Sequence, residues 1–152
     1  MSLLKNGFIE NISALGALPF FLMTISILFL LNQTKFATQL LVGIIIGHIV
    51  TYLIRLMYHK ERPQPQKYNS LVERIDASSF PSLHSVRAMT FSMICAINTG
   101  YLVSYLIFGT YLLSILYSRY YLKKHDLKDI IMGAIIGLFI SAIIIFISSY
   151  FI

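Results

Sequence analysis

The last stretch of the chain, IIMGAIIGLFISAIIIFISSYFI (Ile130–Ile152), runs for 23 residues without an Asp, Glu, Lys or Arg. A helix needs about 20 apolar residues to cross roughly 30 Å of hydrocarbon, so this segment qualifies as a membrane span. Ala14–Leu31 and Phe36–Ile54 qualify on the same ground. A longer charge-free run, Ala88–Ser118, exceeds one ordinary span, and the turn-like NTG at Asn98–Gly100 divides it. The expected helices there are Leu83–Ile97 and Tyr101–Tyr121.

Composition agrees: 57% of the 152 residues are hydrophobic, 12% are charged, and mean hydropathy is +0.77. Soluble domains carry about a quarter charged residues, so the expectation is an all-α, polytopic membrane helix bundle with about five transmembrane helices. Residues 1–152 are read as a single domain, without internal repeats. The first dozen residues, MSLLKNGFIENI, fit an interfacial helix rather than a cleavable signal peptide, because no small-x-small cleavage site follows the apolar run. Cys95 falls inside a span, where packing is its expected role, and a single Cys makes no internal disulfide.

Five spans place the loops alternately on two faces. Eleven of the twelve Lys and Arg, and all six acids, fall on the face that holds the N-terminal segment, the Tyr58–Phe80 loop and the Arg119–Lys128 connection. The positive-inside rule alone accounts for such a bias and assigns that face to the cytoplasm. Three clusters on it ask for more.

In RLMYHKERP (Arg55–Pro63), Arg55 and Arg62 are seven apart, which on a helix puts them on one stripe; Pro63 would then stop the helix. Two guanidinium forks can converge on one phosphate. In SFPSLHSVRAM (Ser79–Met89), Ser82 and His84 sit at the expected entry of a helix, where N–H groups favour anions, although a simple capped helix reads the same way. In SRYYLKKHDLKD (Ser118–Asp129), Arg119 ends one helix and the next begins near His125 or Asp126. A start at His125 puts Asp129 one turn on, within reach of the imidazole; a start one residue later makes Asp126 the N-cap and Asp129 its capping partner.

Together the three clusters resemble the motifs of the type 2 phosphatidic acid phosphatase superfamily, Lys-x6-Arg-Pro, Pro-Ser-Gly-His and Ser-Arg-x5-His-x3-Asp. Here they read Arg55-x6-Arg62-Pro63, Pro81-Ser82-Leu83-His84 and Ser118-Arg119-x5-His125-x3-Asp129. Arg55 replaces the usual Lys and Leu83 the usual Gly, and the chain is one helix shorter than the common six-helix membrane form. The resemblance implies a metal-independent lipid phosphatase that uses no cofactor. His125 would attack phosphorus to form a phosphohistidine, Asp129 would orient it, and His84 would protonate the leaving group. Arg55, Arg62, Arg119 and Ser82 would hold the phosphate oxygens.

Implied substrates are lipid phosphates: phosphatidic acid, phosphatidylglycerol phosphate, a polyprenyl pyrophosphate or a lipid A phosphate. Leu83 also fits a branch of the resemblance that transfers the phospho-group to an alcohol, so a lipid phosphotransferase is the alternative. A non-catalytic scaffold or transporter that binds anionic lipid through its basic loops is a third. Bacterial relatives of this kind place the site outward, against the charge bias. No nucleic-acid motif accompanies the ten Tyr and eleven Phe, which are read as packing and interface belts. His48 is expected to be a hydrogen-bonded structural residue, and Gly43 with Gly47 a small-residue contact for another helix.

Overall fold

The computed structural model describes residues 2–64 and 66–151. Met1, Pro65 and Ile152, which belong to the expected interfacial segment, the Arg62–Gln66 loop and the last span, lie outside them. Among the described residues seven helices follow in order: α1 (Ser2–Ala14), α2 (Leu18–Leu30), α3 (Thr34–Met57), α4 (Leu71–Ala77), α5 (Leu83–Thr99), α6 (Leu102–Tyr121) and α7 (Leu127–Phe151).

Among the described residues, three helices are long and apolar enough to cross a membrane alone: α3, α6 and α7. Residues Asn6–Ala14 of α1 and α2, bent by 44° to one another, are long and apolar enough for a fourth when counted as one broken span. The expected first span, Ala14–Leu31, is therefore only partly one helix. Its start is interrupted by an elbow at residues 15–17, and α2 restarts with Pro19 in its first turn, where a missing N–H costs nothing. The fifth expected span, α5, has 17 residues, about 26 Å of helix, and lies enclosed by α3, α6 and α7. It ends at the turn expected from NTG, where Gly100, with a φ of 70°, forms a left-handed cap.

Small residues let the backbones close around α5. A Cβ on Gly133 would lie 2.5 Å from the Ser82 carbonyl oxygen, and one on Gly137 the same distance from that of Val86. From the other side, a Cβ on Gly43 would meet Thr90 at 2.7 Å and one on Gly47 would meet Val86 at 3.1 Å. Phe21, Leu40, Val86, Phe91, Ile94 and Ile140 form the apolar centre. At the end away from the basic loops, a polar clasp joins three helices. Asn98 Nδ2 donates to Gln39 Oε1 at 2.6 Å, and Gln39 Nε2 donates to Ser148 Oγ at 2.5 Å. His48 Nδ1 donates to the Ile44 carbonyl at 2.8 Å, and Cys95 is buried within α5.

Candidate active site

The segment between α3 and α5 builds one wall of the site. Helix α3 stops at Met57, because Tyr58 turns extended and the chain that follows pairs with the approach to α5. Lys60 O accepts from Ser79 N at 2.7 Å, and Lys60 N donates to Ser78 Oγ at 3.3 Å. The expected helical stripe of Arg55 and Arg62 is thus not formed: Arg62 lies beyond the helix, in the loop. The two guanidinium groups still come close enough to repel one another, brought together by the paired loop segments instead of by helical period.

Arg55 is buried in the last turn of α3, with Nη2 donating to the Pro81 carbonyl at 2.9 Å. Arg62 donates to Gln66 Oε1 at 2.8 Å and to the Asp76 carbonyl at 2.5 Å. Arg119, buried at the end of α6, donates from Nη1 to Ser13 Oγ at 2.8 Å. In all three the Nε is buried and has no acceptor among the described residues. Buried polar groups normally find partners, so these donors mark a place suited to an anion.

Ser82 caps α5: its Oγ accepts from Ser85 N at 3.4 Å, and its own N–H donates to the Asp129 carbonyl at 3.0 Å. The last contact ties the entry of α5 to the first turn of α7. His84 follows in the first turn of α5, close enough to His125 for the two rings to interact electrostatically.

His125 is buried in the turn between α6 and α7. Its Nδ1 lies 2.8 Å from the Ser79 carbonyl oxygen. A carbonyl can only accept, so Nδ1 carries the proton and Nε2 keeps its lone pair. Asp129 Oδ2 is farther off, 3.9 Å from the same nitrogen. Helix α7 begins at Leu127, and Asp129 Oδ2 accepts from Asp126 N at 3.1 Å, which is the capping geometry of the two that the sequence allows.

Asp129 is fully buried and surrounded by donors: Lys60 Nζ at 2.6 Å on Oδ1 and the Ser79 hydroxyl on Oδ2. Lys60 also pairs with Asp126 at 2.9 Å. Burial works against the Lys60 charge, but the two carboxylates outweigh it and hold its pKa above the ordinary value. Burial likewise lowers the His125 pKa; Asp129 opposes this, while Arg119, Arg62 and Arg55 reinforce it.

Sequence reasoning missed Ser79, Lys60 and Ser13. Ser79 and Lys60 lie next to or inside the motifs, and only the pairing of the two loop segments brings them to Asp129. Ser13 comes from the elbow end of α1, where Leu15 O also accepts from Tyr111 Oη at 2.8 Å. A Cβ on Gly16 would lie 3.1 Å from His84 Cδ2 and 2.9 Å from Ile115 Cγ2, so the elbow covers the His84 ring. Beside His125 opens a cleft of about 410 Å³ bordered by Pro63, Tyr117, Tyr120, Lys123 and Asp126.

Residues 58–152, more than half of the chain, match the family model described as the PAP2 superfamily. The chain belongs to the PAP2 superfamily. Two solved structures share its fold. LpxE of Aquifex aeolicus is 24% identical with a TM-score of 0.77, over 93% of this chain and 86% of its own. The first transmembrane PAP2-type phosphatidylglycerolphosphate phosphatase from Bacillus subtilis is 23% identical with a TM-score of 0.79, over 97% and 78%. At these identities the likeness is one of fold. A sequence comparison with curated proteins found no match. The PAP2 chain is thus a member of a phosphatase superfamily built as an all-helical membrane bundle.

Proposed function

We propose that this PAP2 chain is a metal-independent lipid phosphatase acting through a phosphohistidine, with residues 1–152 working as one unit. The observation that carries the reading is the Nδ1 contact of His125 with the Ser79 carbonyl, which leaves Nε2 as the nucleophilic nitrogen amid three arginines.

His125 Nε2 bonds to phosphorus as the P–O bond to the lipid breaks. The departing oxygen keeps the electron pair and takes a proton from His84. Water then bonds to the same phosphorus, the P–N bond breaks, inorganic phosphate leaves, and the proton shed by water returns to His84. Arg55, Arg62 and Arg119, with the Ser82 hydroxyl and the N–H groups opening α5, hold the equatorial oxygens as charge spreads over them. Asp129 and Ser79 act as positioning residues for His125. Three guanidinium groups supply the positive charge, so no metal is assigned.

Substrates are membrane lipids ending in phosphate or diphosphate: phosphatidic acid, phosphatidylglycerol phosphate, a polyprenyl pyrophosphate or a lipid A phosphate. The two solved relatives and the site's place at the helix ends beside the headgroups support this class. The basic bias supports a cytoplasmic site.

The test is phosphate release by purified protein in detergent with EDTA, across these lipids, for wild type beside His125→Ala. Release by wild type alone supports the reading. Equal release by His125→Ala overturns it. Release that appears only when an acceptor alcohol is supplied, as a phosphorylated alcohol, replaces it with the transferase that Leu83 suggests.

A further inference from the structure

Arg87 belongs to none of the three motifs. It lies one turn into α5 beyond His84 and is 6% exposed. Among the described residues no carboxylate pairs with it. Its side chain meets the face of Phe21, 5.9 Å from the ring centroid, and His84 Nδ1 at 3.4 Å, while its Nε has no acceptor. A guanidinium offers five donors, and a helix bundle that buries one with so few acceptors holds a charge that calls for an anion. Arg55 and Arg119 are near enough to repel it, Asp129 is already engaged by Lys60, and the single charge of Asp76 acts on Arg55 and Arg62 and offsets only one of the four arginines. The cluster therefore has more positive charge than one phosphate neutralises.

The contact with His84 adds a chemical constraint. Arginine only donates, so His84 Nδ1 accepts and the ring holds a single proton, on Nε2. A neutral imidazole is a good hydrogen-bond donor and a poor acid. Protonating a leaving alkoxide, as in the monoester reaction above, strips His84 of its one proton and is the more costly use of the ring. The neutral ring serves well a leaving phosphate, which departs as a stable anion and needs positive charge beside it.

We propose that Arg87 and His84 form a second phosphate subsite that takes the inner phosphate of a lipid diphosphate, so that the enzyme prefers diphosphates over monophosphates. The inference rests on the phosphatase reading above. His125 Nε2 bonds to the outer phosphorus and the bond from that phosphorus to the bridging oxygen breaks. The bridging oxygen keeps the pair as a terminal oxygen of the lipid monophosphate, which His84 and Arg87 hold. Water then bonds to the outer phosphorus, the P–N bond breaks with its electron pair returning to His125 Nε2, and inorganic phosphate leaves while the proton shed by water passes to phosphate and solvent.

The experiment compares one prenyl chain carried as monophosphate and as diphosphate, for wild type, Arg87→Gln and Arg87→Lys. Wild-type kcat/KM is expected to favour the diphosphate by about 10-fold or more, with lipid monophosphate as the product. Arg87→Gln is expected to cost the diphosphate reaction about 10²-fold, the scale of losing one preorganised donor. The ratio between substrates then collapses, and Arg87→Lys restores part of it. A merely damaged fold lowers both rates by one factor and keeps the ratio, and that result overturns the proposal. So does a wild-type preference for the monophosphate. Without any variant, methylenediphosphonate is expected to inhibit wild type about 10-fold more strongly than methylphosphonate; equal inhibition also overturns it. Silence of wild type on both substrates brings down the phosphatase reading itself, whereas release from both without discrimination brings down only the subsite.

Discussion

Lys60 Nζ lies 2.6 Å from Asp129 Oδ1, closer than the 3.9 Å that separates Asp129 Oδ2 from His125 Nδ1. The motif carboxylate is thus held by a lysine from the loop after α3, and the ring it accompanies is held by a backbone carbonyl. Lys60→Met leaves a fully buried carboxylate without its cation. Breaking a buried pair costs about 3–5 kcal/mol, and partial exposure of Lys60 reduces this to roughly 2 kcal/mol. Thermal unfolding is expected to shift down accordingly, and Asp129→Asn added to Lys60→Met should recover part of the loss. Simple additivity of the two would refute the coupling.

The His125 ring should stay neutral in mildly acidic solution. Burial, with Arg119, Arg62 and Arg55, lowers its pKa despite Asp129, and the Ser79 hydroxyl lies 3.3 Å from Nδ1. In the proposed mechanism the unprotonated ring is the nucleophile, so its competence persists as pH falls through about 6.5, the ordinary value, and disappears only below it. The linked stability has the same sign: it is present above the unfolded value and declines as pH drops. NMR of ring-labelled histidine, assigned against His125→Ala, reads this directly. A midpoint at or above the ordinary value would contradict it.

The elbow between α1 and α2 should affect turnover, since it touches both Arg119 and His84. Ser13→Ala removes an acceptor from Arg119 and is expected to raise KM by about 3- to 10-fold, in the range of one charge-assisted hydrogen bond. Gly16→Val pushes against the His84 ring and should lower kcat by about 10²-fold, as a displacement near 1 Å does. Gly16→Ala should fall between wild type and valine. Wild-type kinetics in Gly16→Val would show that the elbow is passive.

Membrane sidedness gives a separate test. With the five crossings expected from the sequence, the C-terminus lies on the face opposite the site, so a cytoplasmic site requires a reporter fused after Ile152 to be extracytoplasmic. A cytoplasmic reporter reverses the assignment and makes the basic loops an exception to the positive-inside rule.

Helix existence was legible because hydrocarbon thickness imposes a length on charge-free sequence, and α3, α5, α6 and α7 lie close to the runs expected. The motif residues were legible through order and spacing. Arg55 and Arg62 illustrate the limit: the spacing fits a helix, yet the segment after Met57 leaves it to pair with residues 78–81, an exchange no local propensity reports. Ser79, Lys60, Ser13 and Arg87 were hidden for a similar reason. Their partners come from other helices and loops, and nothing in a run of sequence encodes distance across a bundle.

The family match begins at Tyr58, but the site does not. Arg55, Ser13, Gly16 and Phe21 all come before Tyr58, where they grip a carbonyl, an arginine, a histidine ring and a second arginine in turn. A fragment trimmed to residues 58–152 would keep both motif histidines and Asp129 while stripping away the walls that hold them. Homologues that share every motif residue are accordingly free to differ in what they process through changes in the helices before the matched segment.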